Sequence, residues 1–248
     1  MIAIRGLTKR LGRKQVLDGL DLDVRTGETL VVLGPSGTGK SVLLKHIIGL
    51  MRPDAGSIQV NGEEIVGMDE RRLDKMRLKF GMLFQGAALF DSMTVGENVG
   101  LSLTEHTRMS GAEIRRRVSE RLEWVGLKDV EQMKPASLSG GMKKRVGLAR
   151  ALAMDPEVIL YDEPTTGLDP ITGDVINQFI RAMQQRLGVT SIVVTHELMS
   201  AYKVGDRMSM IYQGRVVFTG TPGEVRDTSN PMVRQFIEGS SAGPIQPV

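Results

Sequence analysis

Several features that many proteins use are scarce or missing in this sequence. None of its 248 residues is cysteine, which excludes disulfides and thiolate metal sites and fits a reducing compartment. Its 32 Lys and Arg against 29 Asp and Glu leave a net charge of only +3, so we expect no nucleic-acid partner. No stretch approaches the roughly 20 apolar residues of a spanning helix, and the N-terminus lacks an apolar signal-peptide core. We therefore expect a cytoplasmic protein that reaches a membrane only through a partner.

The order of the secondary-structure signals predicts an α/β fold. Strand signals fall at residues 2–7, 16–24, 28–33, 158–162 and 191–196. Between the third and fourth of these, from about residue 87 to residue 155, the pattern is mainly helical. Strands and helices that alternate on either side of a helical insertion favour a mainly parallel sheet covered by helices, after a β-rich opening.

A glycine-rich segment matches the phosphate-binding pattern G-x-x-x-x-G-K-[ST]. Glycines let backbone N–H groups wrap phosphates, and the dipole of a following helix favours an anion. Lys40 is expected to bridge the β and γ phosphates of ATP, and the Ser41 hydroxyl to bind Mg²⁺. An ordinary turn is the alternative, but a strand before and an amphipathic helix after argue against it. The predicted ATP-binding residues are Gly34, Pro35, Ser36, Gly37, Thr38, Gly39, Lys40 and Ser41.

Two acidic residues end the apolar run at residues 158–161. Ligands of open α/β sheets sit at the carboxyl ends of such buried strands. Asp162 is then placed to bind Mg²⁺, and Glu163 to orient or deprotonate the attacking water. Two acids after an apolar run more often mark a solvated strand end, so this motif gains its weight from the phosphate-binding pattern in the same chain.

A Ser-Gly-Gly turn opens the last helix of the predicted insertion. Such a turn presents N–H groups and a hydroxyl to a phosphate, although it is also a common helix start. LSGGM, which ends about fifteen residues before the acidic strand, is similar to the signature motif of the ABC transporter ATPases. The motif residues are Ser139, Gly140, Gly141 and Met142.

Three further residues resemble functional positions of that family. Gln85 resembles the glutamine that touches the metal and the attacking water, and His196 resembles the switch histidine at the γ-phosphate. Alone, such a Gln is usually a surface residue and such a His a structural one. The segment TTGLD, which ends in Asp169, resembles the loop that crosses to a partner subunit. The resemblance implies that Glu163, His196 and Gln85 are catalytic, and that Ser41, Gln85 and Asp162 bind Mg²⁺.

The resemblance also implies an architecture and an assembly. The expected fold is a P-loop NTPase of ABC type: a RecA-like, mainly parallel sheet core, an N-terminal antiparallel β subdomain and a helical subdomain inserted at about residues 87–155. This domain is expected to span residues 1–238 and to leave a flexible tail at residues 239–248. In this family each nucleotide is held between the phosphate loop of one subunit and the signature motif of the other. A homodimer that binds ATP and Mg²⁺ is therefore expected.

Longer stretches narrow the resemblance to the Mla/Mce-type lipid transporter ATPases. They include residues 38–50, 84–99 and 233–245. The resemblance implies transport of lipids or phospholipids across a cell envelope, with a multi-pass permease, a periplasmic MCE-domain protein and a small STAS-domain protein. The chain would then be peripheral on the cytoplasmic face of the inner membrane. Two alternatives stay open: an importer ATPase for a small polar nutrient, and a non-transport ABC ATPase, although such proteins usually carry a long coiled-coil insertion or two fused halves.

Two positions depart from the family pattern. Leu11 stands where many members stack an aromatic ring on adenine, so apolar contact is expected without stacking. Met142 replaces a polar residue at the end of the signature motif. The segment 143–145, Lys-Lys-Arg, lies in the signature helix, where a surface role is favoured over one in tuning nucleotide or permease contacts.

A cluster of apolar side chains beside Gln85 has two interpretations. Leu89, Phe90 and Met93 could form a docking point for a short helix of the permease, because Met tolerates imprecise packing. They could equally pack inside the helical subdomain, since Phe and Met are most often buried.

Overall fold

The computed structural model describes residues 1–246, which form two compact units. The first unit contains residues 1–77 and the chain from Thr190 onward, and the second contains residues 78–189. The helical insertion predicted for about residues 87–155 lies within the second unit, which begins earlier and ends later. Within residues 1–246, no helix has the length and apolar character needed to cross a membrane.

The helices and strands follow one another in three sections. The first unit begins with β1 (Ile2–Leu11), β2 (Lys14–Val24), β3 (Thr29–Leu33), α1 (Lys40–Ile47), β4 (Ala55–Val60), β5 (Glu63–Glu64) and α2 (Glu70–Arg77). The second unit contains β6 (Phe80–Leu83), α3 (Val95–His106), α4 (Gly111–Trp124), α5 (Gly140–Ala151), β7 (Val158–Asp162) and α6 (Pro170–Leu187). The chain then returns to the first unit with β8 (Thr190–Val194), α7 (Leu198–Val204), β9 (Arg207–Tyr212), β10 (Arg215–Gly220), α8 (Pro222–Asp227) and α9 (Pro231–Glu238).

The N-terminal strands form a four-stranded antiparallel sheet in the order β2-β1-β4-β5. In β2, apolar side chains such as Leu20 and Leu22 are buried while the acids between them point outward. The β4–β5 connection is a tight hairpin, because Asn61 and Gly62 both have positive φ angles, 53° and 80°. This sheet confirms the β-rich opening.

The other strands of the first unit pair mainly in parallel. β3 pairs in parallel with β8 on one side and with β9 on the other, and β10 joins β9 as an antiparallel hairpin. Every residue of β3 and β8 is buried, which explains why residues 30–33 and 192–194 are all apolar. Because Val32 pairs with Val194, the loops after the two strands begin at the same sheet edge.

The second unit contains a parallel pair of its own. β6 pairs with β7, with Leu83 opposite Tyr161, so the loops after these strands also begin at one edge. Helix α5 packs closely on β6. A Cβ on Gly81 would lie 2.3 Å from the carbonyl oxygen of Ala151, and one on Gly147 would lie 2.8 Å from Leu83 Cδ1. The glycines therefore set the distance between helix and strand.

Local capping fixes where the helices begin. Thr94 and Glu97 form a capping box at α3, and Ser110 and Glu113 form another at α4. At the end of α4, the guanidinium of the buried Arg121 donates to the Leu152 carbonyl and to Asp155, and lies 3.8 Å from the ring centroid of Trp124.

The C-terminal segment differs from the expected flexible tail. Ile245 is buried, its N–H donates to Gln235 Oε1, and its carbonyl accepts from Gln235 Nε2 at 3.0 Å. The Gln246 N–H donates to the Tyr212 hydroxyl. The buried Ile245 side chain and its two hydrogen bonds to the Gln235 amide thus anchor a segment whose composition gives no sign of order. Pro247 and Val248 lie outside the described residues.

The contact between α5 and β6 gives a stability prediction. Gly81→Ala forces a methyl group against the Ala151 carbonyl, and overpacking of this kind costs about 1–3 kcal/mol. We expect a lower denaturant midpoint at an unchanged m-value. Gly86→Ala is the matched control, because nothing lies within 4 Å of its Cβ position. Equal midpoints for the two variants would contradict the close packing.

Candidate nucleotide site

The phosphate-binding loop follows β3 and depends on glycine at its first position. Gly34 has a φ of 151°, and a Cβ there would lie 2.3 Å from the Ile211 carbonyl oxygen. No other residue fits without moving the β9–β10 hairpin. Gly37 and Gly39 have φ angles of 74° and 98°, which are backbone conformations that residues other than glycine rarely adopt.

Helix α1 begins at the end of this loop in a form suited to an anion. Its N-cap, Gly39, has no side chain to cap the first turn, and that turn carries no acidic residue. The buried Lys40 ammonium donates to the carbonyls of Gly34 at 2.8 Å and Pro35 at 3.0 Å. The loop therefore curls around a positive charge at a helix N-terminus, which is the arrangement that binds phosphate groups.

Two other predicted residues belong to the same unit as the loop. His196 is exposed in the loop after β8, next to Thr195, whose N–H donates to the Val32 carbonyl of β3. Leu11 ends β1 with 41% of its surface exposed. The hairpin that carries Leu11 approaches the phosphate loop, because Lys14 Nζ lies 3.4 Å from the Gly37 carbonyl oxygen.

The acidic pair lies in the second unit at the end of β7. Asp162 and Glu163 are both buried, and Glu163 has a left-handed φ of 49°. The Thr166 hydroxyl donates to Glu163 Oε2 at 3.1 Å. A residue other than glycine in this conformation costs about 1–3 kcal/mol, and such strain clusters at functional sites.

Gln85 lies at the same sheet edge, where it is held by Lys144, a residue expected on the surface. Lys144 of α5 is buried, and its ammonium donates to the Gln85 carbonyl and, at 3.0 Å, to the Glu163 carbonyl. The prediction of a surface role for residue 144 is therefore wrong. Helical spacing carried the signal, because Gly141, Lys144 and Leu148 share the buried face of α5.

The signature residues open α5, and the Asp169 loop lies beside them. Ser139 caps α5 by accepting the Met142 N–H at 3.2 Å, and Ser139 and Gly140 remain exposed. A Cβ on Gly141 would lie 2.5 Å from Thr172 Cγ2 of α6, so this glycine permits the contact between the two helix starts. Asp169 caps α6, and hydrogen bonding with Thr172 and then Ile171 lowers the pKa of its carboxyl below the usual value.

The residues present fit magnesium and a nucleoside triphosphate. The glycine loop and Lys40 suit phosphate oxygens. A hydroxyl on Ser41, an amide oxygen on Gln85 and a carboxylate on Asp162 are the hard oxygen donors that Mg²⁺ prefers. The first unit contains the phosphate loop, His196 and Leu11, and the second contains Gln85, Asp162, Glu163, residues 139–142 and Asp169.

Comparison with known proteins identifies the family. The sequence profile of the ABC transporter family matches residues 17–166. The chain is 45% identical over 245 residues to the probable ribonucleotide transport ATP-binding protein mkl of Mycobacterium leprae, covering 98% of this chain and 70% of that protein. It is 42% identical to the trigalactosyldiacylglycerol 3 protein of Arabidopsis thaliana, covering 99% of this chain and 76% of that protein. It is 38% identical to the intermembrane phospholipid transport ATP-binding protein MlaF of Haemophilus influenzae, covering 99% and 93%.

Solved structures agree with the sequence matches. The dimeric post-hydrolysis state of the ATP-binding cassette MJ0796, bound to ADP and phosphate, superposes with a TM-score of 0.83 at 35% identity, over 90% of this chain and 99% of that one. The predicted P-loop fold of ABC type is thereby confirmed, together with ATP and Mg²⁺ as its ligands and ATP hydrolysis as its reaction. The chain belongs to the ABC transporter family as an ATP-binding cassette.

Proposed function

We propose that this chain hydrolyses Mg-ATP as one half of a homodimer and thereby powers lipid transport through a membrane permease. The observation that carries the proposal is the similarity, over 99% of the chain, to two proteins whose names refer to lipids. That similarity is joined to a phosphate loop, an acidic strand end and a signature turn in one polypeptide.

In the proposed reaction, the first unit binds and orients the triphosphate. The N–H groups at the start of α1 and the Lys40 ammonium take the phosphate oxygens. Lys40 gives up its bonds to the Gly34 and Pro35 carbonyls when phosphate oxygens replace them. Leu11 offers an apolar surface to the adenine, and His196 contacts the γ-phosphate. Mg²⁺, when bound, neutralises charge on the phosphates, and Ser41, Gln85 and Asp162 are the residues that would hold it.

The second unit supplies the group that acts on water. Glu163 accepts a proton from the attacking water or orients it, and Gln85 contacts the same water. The Thr166 hydroxyl, which donates to Glu163 Oε2, fixes the orientation of this carboxylate.

Dimer formation completes each nucleotide site. We place Ser139 and the amides of Gly140, Gly141 and Met142 on the ATP of the partner, with the Asp169 loop between the two subunits. Exposure of Ser139 and Gly140 at the start of α5 supports this role, as does the dimeric state of the solved relative. Hydrolysis then removes the phosphate that both subunits hold, which loosens the interface and moves the permease.

A short helix of the permease is proposed to dock beside Gln85. Phe90 is 50% exposed although large, and its backbone is fixed by the buried Asn98, which accepts the Phe90 N–H and donates to its carbonyl. Met93 lines an adjoining groove of about 1140 Å³ between α3 and α4. Because the Phe90 backbone is held in place while its ring stays exposed, the ring is better suited to contact the permease helix than to pack inside the subdomain.

Further partners follow from the lipid assignment. We propose a multi-pass permease, a periplasmic MCE-domain protein and a small STAS-domain protein, with this chain peripheral on the cytoplasmic face of the inner membrane. The 38% identity to an intermembrane phospholipid transport protein supports this assembly.

Transport of a small polar solute is the second candidate. It is favoured by the name of the mycobacterial relative, a probable ribonucleotide transport protein at 45% identity. The ATPase machinery is the same in both cases, so the cargo has to be tested on the assembled transporter.

Replacement of the proposed base tests the chemistry. Glu163→Gln keeps the shape of the side chain but cannot take a proton, so we expect unchanged ATP affinity and a 10²- to 10⁴-fold lower rate of phosphate release. Lys40→Ala is the contrasting variant and should lose ATP affinity itself. Near-normal turnover of Glu163→Gln would remove Glu163 from this role.

Reconstitution of the complex tests the cargo. The complex purified from native membranes should contain an MCE-domain protein and, in proteoliposomes, move a fluorescent phospholipid only when ATP is hydrolysed. The complex with Glu163→Gln is the control. ATP-dependent uptake of a labelled ribonucleotide, together with a soluble binding protein in place of the MCE protein, would establish the second candidate instead.

Removal of one exposed ring tests the docking surface. Phe90→Ala should abolish co-purification of the permease while ATP binding by the isolated chain stays unchanged. Leu50→Ala, which removes a side chain that is 54% exposed, is the matched control and should leave the complex intact. Retention of the permease by Phe90→Ala would move the docking point elsewhere.

A further inference from the structure

One buried ammonium group connects the two loops that carry the proposed chemistry. Lys144 is 5% exposed, and its Nζ donates to the Gln85 carbonyl and to the Glu163 carbonyl. Gln85 follows β6 and Glu163 follows β7, so the two bonds join the loops after neighbouring parallel strands.

Burial of a lysine ammonium group in this position is energetically unfavourable unless it is hydrogen-bonded. A buried ammonium loses its hydration and is tolerated only when its N–H groups find acceptors. Here two acceptors are backbone carbonyls, those of Gln85 and Glu163. The lysine thus fixes the main chain at both residues.

The loops that α5 holds have strained backbones. Glu163, Ala87 and Ala88 all have left-handed φ angles, 49°, 60° and 46°. Such conformations persist only when surrounding contacts impose them. Helix α5 supplies these contacts at both places: Lys144 donates to Glu163, and one turn and a half later Arg150 donates to the carbonyls of Ala87 at 2.6 Å and Ala88 at 2.7 Å.

We propose that Lys144 is a positioning residue for hydrolysis, which sets Gln85 and Glu163 by tying their carbonyls to the signature helix. The inference rests on the proposed roles of these two residues. Because α5 begins at Ser139, a shift of the signature motif moves the ammonium as well. Engagement of a nucleotide by the signature motif therefore adjusts the catalytic residues of the same chain, which serve the other nucleotide of the dimer.

The direct test is Lys144→Met in the full-length chain. This change keeps the length of the side chain and removes its N–H donors. We expect kcat to fall about 10²-fold, the loss typical of misplaced catalytic groups, while KM for Mg-ATP stays the same. Lys143→Met, on the less buried neighbour in the same helix, is the matched control and should retain the wild-type kcat.

Two additional variants keep the test decisive if Lys144→Met folds poorly. Lys144→Arg retains donors that can reach two carbonyls and should recover most of kcat. In a Glu163→Gln background, Lys144→Met should cause a much smaller further loss than in the wild type, because only Gln85 is left to position. A merely structural lysine would lower the unfolding midpoint and ATP affinity together, and its effect would add to that of Glu163→Gln.

The outcomes separate this inference from the proposed function. A wild-type kcat in folded Lys144→Met overturns the positioning role while the loss in Glu163→Gln stands. Additive losses in the double variant overturn it as well. If Glu163→Gln itself hydrolyses ATP normally, the assignment of Glu163 fails first.

Discussion

Parallel pairing of strands is the constraint from which the site arises. Two parallel strands end at the same edge, so whatever follows them along the chain is brought together there. In the first unit, the pairing of β3 with β8 brings the phosphate loop and His196 to one edge. In the second, the pairing of β6 with β7 does the same for Gln85 and the acidic pair. Each unit thus gathers at one sheet edge candidate site residues that are about eighty or more positions apart in the sequence.

Two buried lysines show how the same chemistry serves two purposes. The Lys40 and Lys144 ammonium groups both donate to backbone carbonyls of glycine-rich or strained loops. Lys40 sits within the loop that receives phosphates, where anionic oxygens are stronger acceptors than carbonyls and displace them. Lys144 approaches from helix α5, and we propose that it keeps its bonds to the Gln85 and Glu163 carbonyls during hydrolysis. In this proposal, Lys40 exchanges carbonyls for phosphate oxygens, and Lys144 carries movement of the signature helix to the Gln85 and Glu163 loops.

Much of this could be predicted from the sequence because the signals are local. The phosphate loop, the buried apolar strands and the Asn61-Gly62 hairpin each follow from backbone requirements within a few residues. Helical spacing places Lys144 on the buried face of α5, but its acceptors, the carbonyls of Gln85 and Glu163, are brought there only by tertiary structure. Ile245 was missed for the same reason, since its burial depends on Gln235 in the preceding helix. Composition describes the default behaviour of a segment, and specific long-range partners override it.

In the proposed dimer, each active site combines the phosphate loop of one subunit with the signature motif of the other. The most direct measurement is single-turnover hydrolysis by purified mixed dimers that carry one Lys40→Ala and one Ser139→Ala change. With the two changes on different subunits, both fall on one site, and we expect one functional nucleotide site per dimer. With both changes on the same subunit, each site is damaged and none should function. The opposite pattern, in which the same-subunit arrangement keeps one site active, would contradict the account.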